Sequence, residues 1–240
     1  LAYFTALRID AVDLGVNHVV PGGGATAAAI RFRLFVQSGL TASESLSAAA
    51  VEITLSNLLL GLLFGIGSAA SLSIFGSNNY YLIAVVTVLV LLVAALAAGW
   101  MLMQRTAWCL RLAGWAGHRV RRIGPERAQS VVSSVAERVR ILVLHPRRLS
   151  AALGLAAANW ILDAASLWVM FAAFGRTLPI GTVLAVYCLG SILAMLPLTP
   201  GGLGLVEGVM VPAFSALGVP AGTALLAVIG WRVLEYWLPI

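Results

Sequence analysis

Residues 53–104 read ITLSNLLLGLLFGIGSAASLSIFGSNNYYLIAVVTVLVLLVAALAAGWMLMQ, and the 52 positions from Ile53 to Gln104 carry no charged residue. A membrane-spanning helix needs about 20 consecutive apolar residues. This run holds two, with Gly76-Ser77-Asn78-Asn79 as the turn between them and Tyr80-Tyr81 at an interface. The rest of the chain agrees: 61% of its 240 residues are hydrophobic and 10% are charged, with a mean hydropathy of +0.99. That leaves too little polar surface to cover a soluble fold. Further apolar stretches run over about 149–174, 181–198, 203–218 and 221–238. The expected fold class is all-α, a polytopic transmembrane helical bundle forming one integral membrane domain over 1–240. Both ends, Leu1 and Trp237-Leu238-Pro239-Ile240, fall in mid-pattern and read as cuts from a longer protein.

Pro-Gly-Gly occurs at Pro21-Gly22-Gly23 and again at Pro200-Gly201-Gly202, an offset of 200 − 21 = 179 positions. At that offset residues 21–46 and 200–225 also share Phe35/Phe214, Gly39/Gly218, Ala42/Ala221 and Leu46/Leu225. The matches include the helix breakers, which matters more than their number. A broken helix frees backbone groups, and at membrane depth these are tolerated only inside protein or beside a polar cavity, where transporter folds build their sites. Two repeats are expected, 1–75 and 180–240, each with a broken or re-entrant helix at its Pro-Gly-Gly. Parallel and inverted relations both stay open, and so does a pair of unrelated loops.

All 15 basic residues are arginine, and ten of them fall between Arg105 and Arg148. By the positive-inside rule, 105–148 is cytoplasmic. Within it Gly124-Pro125 marks a helix start, and Val131, Val132, Val135, Val139 and Leu142 recur at helical spacing up to Pro146. The pattern predicts an amphipathic helix on the inner leaflet with anionic lipids as partners, or a segment whose charge only sets topology. The pI near 10.1 also fits nucleic acid, but arginines this close to spans are explained by the membrane, and no nucleic-acid partner is expected.

Charges inside the apolar stretches are the candidate site. A charge at the bilayer centre costs about 2.5–3.5 kcal/mol on insertion scales, so such residues face a cavity or a partner. They are Arg31, Arg33, Glu52, Asp163, Glu207 and Arg232, assigned to substrate binding. At the offset of 179, Glu52 and Arg232 are equivalent to within one residue. Structural ion pairs are the competing explanation. Asn159 and Asp163 share a helix face at i,i+4 and fit either a cavity lining or a helix–helix hydrogen bond. Gly61/Gly65 and Gly204/Gly208 have G-x-x-x-G spacing, which fits close helix packing or a homo-oligomer. Cys109 and Cys188 lack any paired spacing, so neither a disulfide nor a metal is expected. No motif nominates a nucleophile, a catalytic residue or a cofactor.

The stretches VVPGGGATAAAIRFRLFVQSGLTASES and LPLTPGGLGLVEGVMVPAFSALGVPAGTALLAVIGWRVLEYWLP resemble the two signature regions of the flippase-like family built on the transmembrane region of lysylphosphatidylglycerol synthase. The second match is the more specific, through Pro-Gly-Gly-Leu-Gly, Glu207, Arg232 and Trp237-Leu238-Pro239. In the first, Ala25 and Thr26 follow the glycines and Glu52 is followed by Ile53, a variant similar to that of high-GC actinobacteria. The resemblance implies a multi-pass protein of the bacterial inner membrane. It would move the headgroup of a phospholipid or lipid-linked sugar, with Arg31, Glu207 and Arg232 along its path. An integral-membrane transferase using a lipid-phosphate donor and a structural scaffold are the alternatives.

Overall fold

The computed structural model describes residues 3–20, 23–71, 79–119, 125–195 and 199–238. The helices are α1 (Tyr3–Val19), α2 (Gly23–Gln37), α3 (Ala42–Ala70), α4 (Asn79–Gln104), α5 (Thr106–Arg119), α6 (Pro125–Leu144), α7 (Pro146–Ala173), α8 (Ile180–Ala194), α9 (Leu205–Ala216) and α10 (Ala221–Arg232). A 3-10 turn (Pro200–Gly202) precedes α9, and a π-helical turn (Val233–Trp237) continues α10. No strand occurs among the described residues. Among the described residues, three helices are long and apolar enough to cross a membrane: Ala42–Ala70, Val85–Gln104 within α4, and Pro146–Ala173.

The apolar stretches expected over 149–174 and 181–198 become α7 and α8, with one revision. With 15 residues and a rise of about 1.5 Å per residue, α8 is too short to cross a bilayer alone. Of the expected 76–79 turn, Gly76, Ser77 and Asn78 lie outside the described residues, whereas Asn79 opens α4.

The chain divides into two compact units; the division crosses the expected 1–75 repeat and leaves the expected 180–240 repeat within one unit. One comprises Leu1–Arg31, Leu60–Leu89 and Ala157–Ile240, the other Phe32–Leu59 and Val90–Ala156. The core of the first is built from Leu167 and Phe171 of α7, Val183 and Tyr187 of α8, Val206, Met210 and Phe214 of α9, and Ala224 and Val228 of α10. The Phe171 and Phe214 rings lie 4.4 Å apart. Glycine sets the helix spacing here: a Cβ on Gly67 would come within 2.8 Å of the Ala185 nitrogen and 3.0 Å of the Gly181 oxygen. Beside this crossing Ser71 and Thr182 share a hydroxyl hydrogen bond of 3.3 Å. Close packing therefore runs through Gly67 and Gly181, whereas Gly65, Gly204 and Gly208 of the G-x-x-x-G pairs face open space.

In the second unit, α3 starts with a capping box. The Thr41 N–H donates to Glu44 Oε2 at 2.8 Å, and the Glu44 N–H to Thr41 Oγ1 at 3.2 Å. Arg138 of α6 reaches this end of α3, donating through Nε to Ser47 Oγ at 2.6 Å. In the Arg-rich segment α5 and α6 pack together. Val131, Val132, Val135, Val139 and Leu142 of α6 are half-buried.

Candidate functional site

Local chemistry makes the second Pro-Gly-Gly a break. Gly201 (φ 51°), Gly202 (φ 72°) and Gly204 (φ 80°) all take left-handed conformations that only glycine adopts without strain. Space is restricted as well. A Cβ on Gly201 would collide with the Tyr236 ring, and one on Gly202 would lie 3.0 Å from Ala194 Cβ. The chain reverses between α8 and α9 here, leaving backbone groups for side chains to satisfy.

Arg232, at the end of α10 and only 5% exposed, satisfies them. Its Nη2 donates to the Gly201 carbonyl at 2.6 Å, its Nε to Glu207 Oε1 at 2.9 Å, and its Nη1 to Glu235 Oε2 at 2.9 Å. Glu207 in turn accepts the Gly204 N–H at 2.7 Å through Oε2, which caps α9. One arginine thus ties the break, the start of α9 and the π-helical turn together. Widened turns of this type recur at functional sites.

Beneath the guanidinium lies the Tyr236 ring, 4.8 Å from Arg232 Cζ, in cation–π contact. Tyr236 stacks on His18 with ring centroids 4.4 Å apart, and its hydroxyl donates to the His18 carbonyl. The last turn of α1, which ends just before the first Pro-Gly-Gly, therefore sits against the second. Pro21 and Gly22 lie outside the described residues, and Gly23 opens α2.

Asp163 of α7 is held by Trp231, the residue before Arg232 on α10, and by Tyr187 of α8. Tyr187 Oη donates to its Oδ2 at 2.7 Å and Trp231 Nε1 to its Oδ1 at 2.8 Å. Two neutral donors offset the cost of a carboxylate within the long apolar helix α7, and Asp163 thereby joins α7, α8 and α10.

Of the residues picked from sequence, Glu207, Arg232 and Asp163 are gathered around α10. Arg31 pairs with Asp10 of α1 through Nη2 at 3.0 Å. Arg33 and Glu52 are exposed and belong to the other compact unit, and Asn159 is exposed on α7. Glu235, Tyr236, Tyr187 and Trp231 escaped sequence analysis, which also assigned neither His18 nor Asp10 to the site. Glu235 alone had a usable signal, its i,i+3 spacing from Arg232. The others meet their partners only through tertiary packing.

A buried arginine clamped between carboxylates at a glycine-made helix interruption, within a chain of long apolar helices, defines an α-helical membrane protein with an internal polar site. The chain belongs to the family of the lysylphosphatidylglycerol synthase TM region, whose family model matches residues 1–240. Among curated proteins it is similar to UPF0104 membrane proteins of Methanothermobacter thermautotrophicus, at 33% identity over 79 residues and 35% over 80. A UPF0104 membrane protein of Methanocaldococcus jannaschii is 31% identical over 88 residues. These matches cover 33%, 33% and 37% of this chain and 23%, 23% and 26% of the relatives. The chain thus spans about a quarter of the length of the curated relatives it matches. These relatives are archaeal, whereas the sequence pattern pointed to bacteria. No solved structure matches the chain.

Proposed function

We propose that this chain is the membrane part of a lipid-headgroup translocator, moving the phosphate-bearing headgroup of a phospholipid or lipid-linked sugar through the prokaryotic cytoplasmic membrane. The observation that carries this is the buried Arg232 between Glu207 and Glu235 at the second break, with the end of α1 against it. The planar, permanently charged guanidinium fork suits a phosphate. A headgroup entering the site exchanges one carboxylate for a phosphate oxygen at Arg232, and the released carboxylate receives a cationic headgroup group such as an amine. The acyl chains stay in the bilayer throughout. The two Pro-Gly-Gly segments act as paired helix interruptions lining the path, with 105–148 on the cytoplasmic side.

A structural scaffold is favoured by one observation, that all three Arg232 nitrogens already donate to protein acceptors. The two readings separate in vesicles containing the purified chain and a headgroup-labelled phospholipid. Translocation by the wild-type chain is expected, and Arg232→Lys, which keeps the charge and loses the fork, slows it at least about tenfold, the weight of one charge-assisted hydrogen bond. No headgroup movement by the folded wild-type chain, or full activity in the variant, overturns the proposal.

A further inference from the structure

Where α5 packs against α6, one face of α5 is left exposed among the described residues. In α5 the buried Gly114 carries the Gln129 side chain of α6 against it, marking the side that meets α6. The opposite side presents Trp108 (46% exposed), Leu112 (44%) and Trp115 (65%). At about 100° per residue these three fall in an arc of about 60°, with Arg111 on one flank and Arg105 on the other. Both arginines are exposed. Arg105 is the hinge residue, its carbonyl accepting the N–H groups of Trp108 at 2.9 Å and Cys109 at 3.1 Å.

What precedes α5 says what covers this face. The apolar helix Val85–Gln104 ends one residue before Arg105, and its last turns expose Trp100 and Met103. A helix that starts within one residue of a span end starts at the membrane surface. After α6, α7 opens with exposed Arg147 and Arg148, so arginines lie at the ends of two spans. Tryptophan prefers the headgroup level, and arginine flanking an apolar stripe is the pattern of a helix lying in an anionic interface.

We infer that α5 is an interfacial helix, with Trp108, Leu112 and Trp115 seated in the headgroup–acyl boundary of one leaflet. Arg105 and Arg111 hold anionic lipid headgroups on either side. The α6 helix rides on the aqueous side of α5, and Arg138 links it to the start of α3. This assigns the leaflet contact to α5 rather than to the valine stripe of α6, and it holds whatever the chain transports.

The test uses the full chain in nanodiscs of phosphatidylcholine with and without phosphatidylglycerol. A spin label at Leu112→Cys, with Cys109 and Cys188 replaced by alanine, reports depth through collisions with oxygen and with an aqueous nickel chelate. The expected position is about 5–10 Å into the headgroup–acyl boundary. Free collision with the chelate overturns the inference, and so does shielding from both colliders, which means a protein cover such as a second copy. Brominated lipids then read lipid choice, taking the part of the tryptophan quenching that Trp108→Phe with Trp115→Phe removes. Brominated phosphatidylglycerol is preferred by about fivefold per arginine, equivalent to about 1 kcal/mol each, and Arg105→Gln with Arg111→Gln abolishes the preference. Equal quenching by both lipids in the wild type overturns the anionic assignment.

Discussion

The helices that follow the two Pro-Gly-Gly segments end in the same turn, and different charges surround it. At the offset of 179, α2 and α9 end at equivalent residues, Gln37 and Ala216, and α3 and α10 begin at equivalent residues, Ala42 and Ala221. The turns between them are the same Schellman cap. Leu40 N–H donates to the Phe35 carbonyl at 3.2 Å and Gly39 N–H to Val36 at 3.1 Å; Val219 donates to Phe214 at 3.2 Å and Gly218 to Ser215 at 3.0 Å. Two of the matched pairs, Phe35/Phe214 and Gly39/Gly218, are therefore the fixed positions of a cap. The same cap closes α7 at Gly175, so the cap by itself does not make a repeat. The charges are not shared. Arg232 aligns with Ile53, Glu207 with Ala28, and Arg31 with the buried Met210. The difference teaches that turn chemistry accounts for two of the matched pairs, Phe35/Phe214 and Gly39/Gly218, while the polar site rests on residues that only one copy possesses.

The sharpest way to break this comparison is to remove the arginine of each copy. Arg232→Met leaves two carboxylates and the Gly201 carbonyl without their donor and is expected to destabilise the chain by about 3–5 kcal/mol. Arg31→Met affects a pair whose Asp10 side chain is 54% exposed, for which about 1 kcal/mol or less is expected. Denaturant unfolding in detergent measures both, and equal losses would make the two regions energetically alike.

Glycine substitutions come next. Gly201→Ala meets both a left-handed backbone and the Tyr236 ring, and a loss above about 2 kcal/mol is expected. Gly39→Ala and Gly218→Ala face open space at φ 97° and φ 83°, so each is expected to cost about 1–2 kcal/mol for the backbone alone. Thermal melts decide this: matching shifts at 39 and 218 support equivalent caps, and unequal shifts break the equivalence.

The smallest expected contrast lies at the starts of the following helices. Thr41→Ala removes the capping box of α3, for about 1 kcal/mol. At the equivalent position Pro220 offers no side-chain cap to α10, and Pro220→Ala should stay within about 0.5 kcal/mol. Hydrogen exchange in the first turn of each helix reads the difference directly.

Local order in the amino-acid pattern was enough for the membrane class, the all-helical architecture, the non-helical turn at Pro200-Gly201-Gly202 and the start of α6 at Pro125, because each depends on neighbours within a few turns of chain. Hydropathy runs, glycine and proline carry such information locally. The separation of the arginine-rich segment into two packed helices was hidden, because α5 starts two residues after the end of α4 and no glycine or proline marks its start. The composition of the site was only half legible. Intramembrane charge cost singles out Arg232, Glu207 and Asp163 from their own sequence surroundings. Which partner each one takes is decided by packing across separations such as 31 residues between Gly201 and Arg232, 68 between Asp163 and Trp231, and 218 between His18 and Tyr236. A polar group leaving water must find whichever partner the folded chain brings within about 3 Å, and no local pattern records that distance.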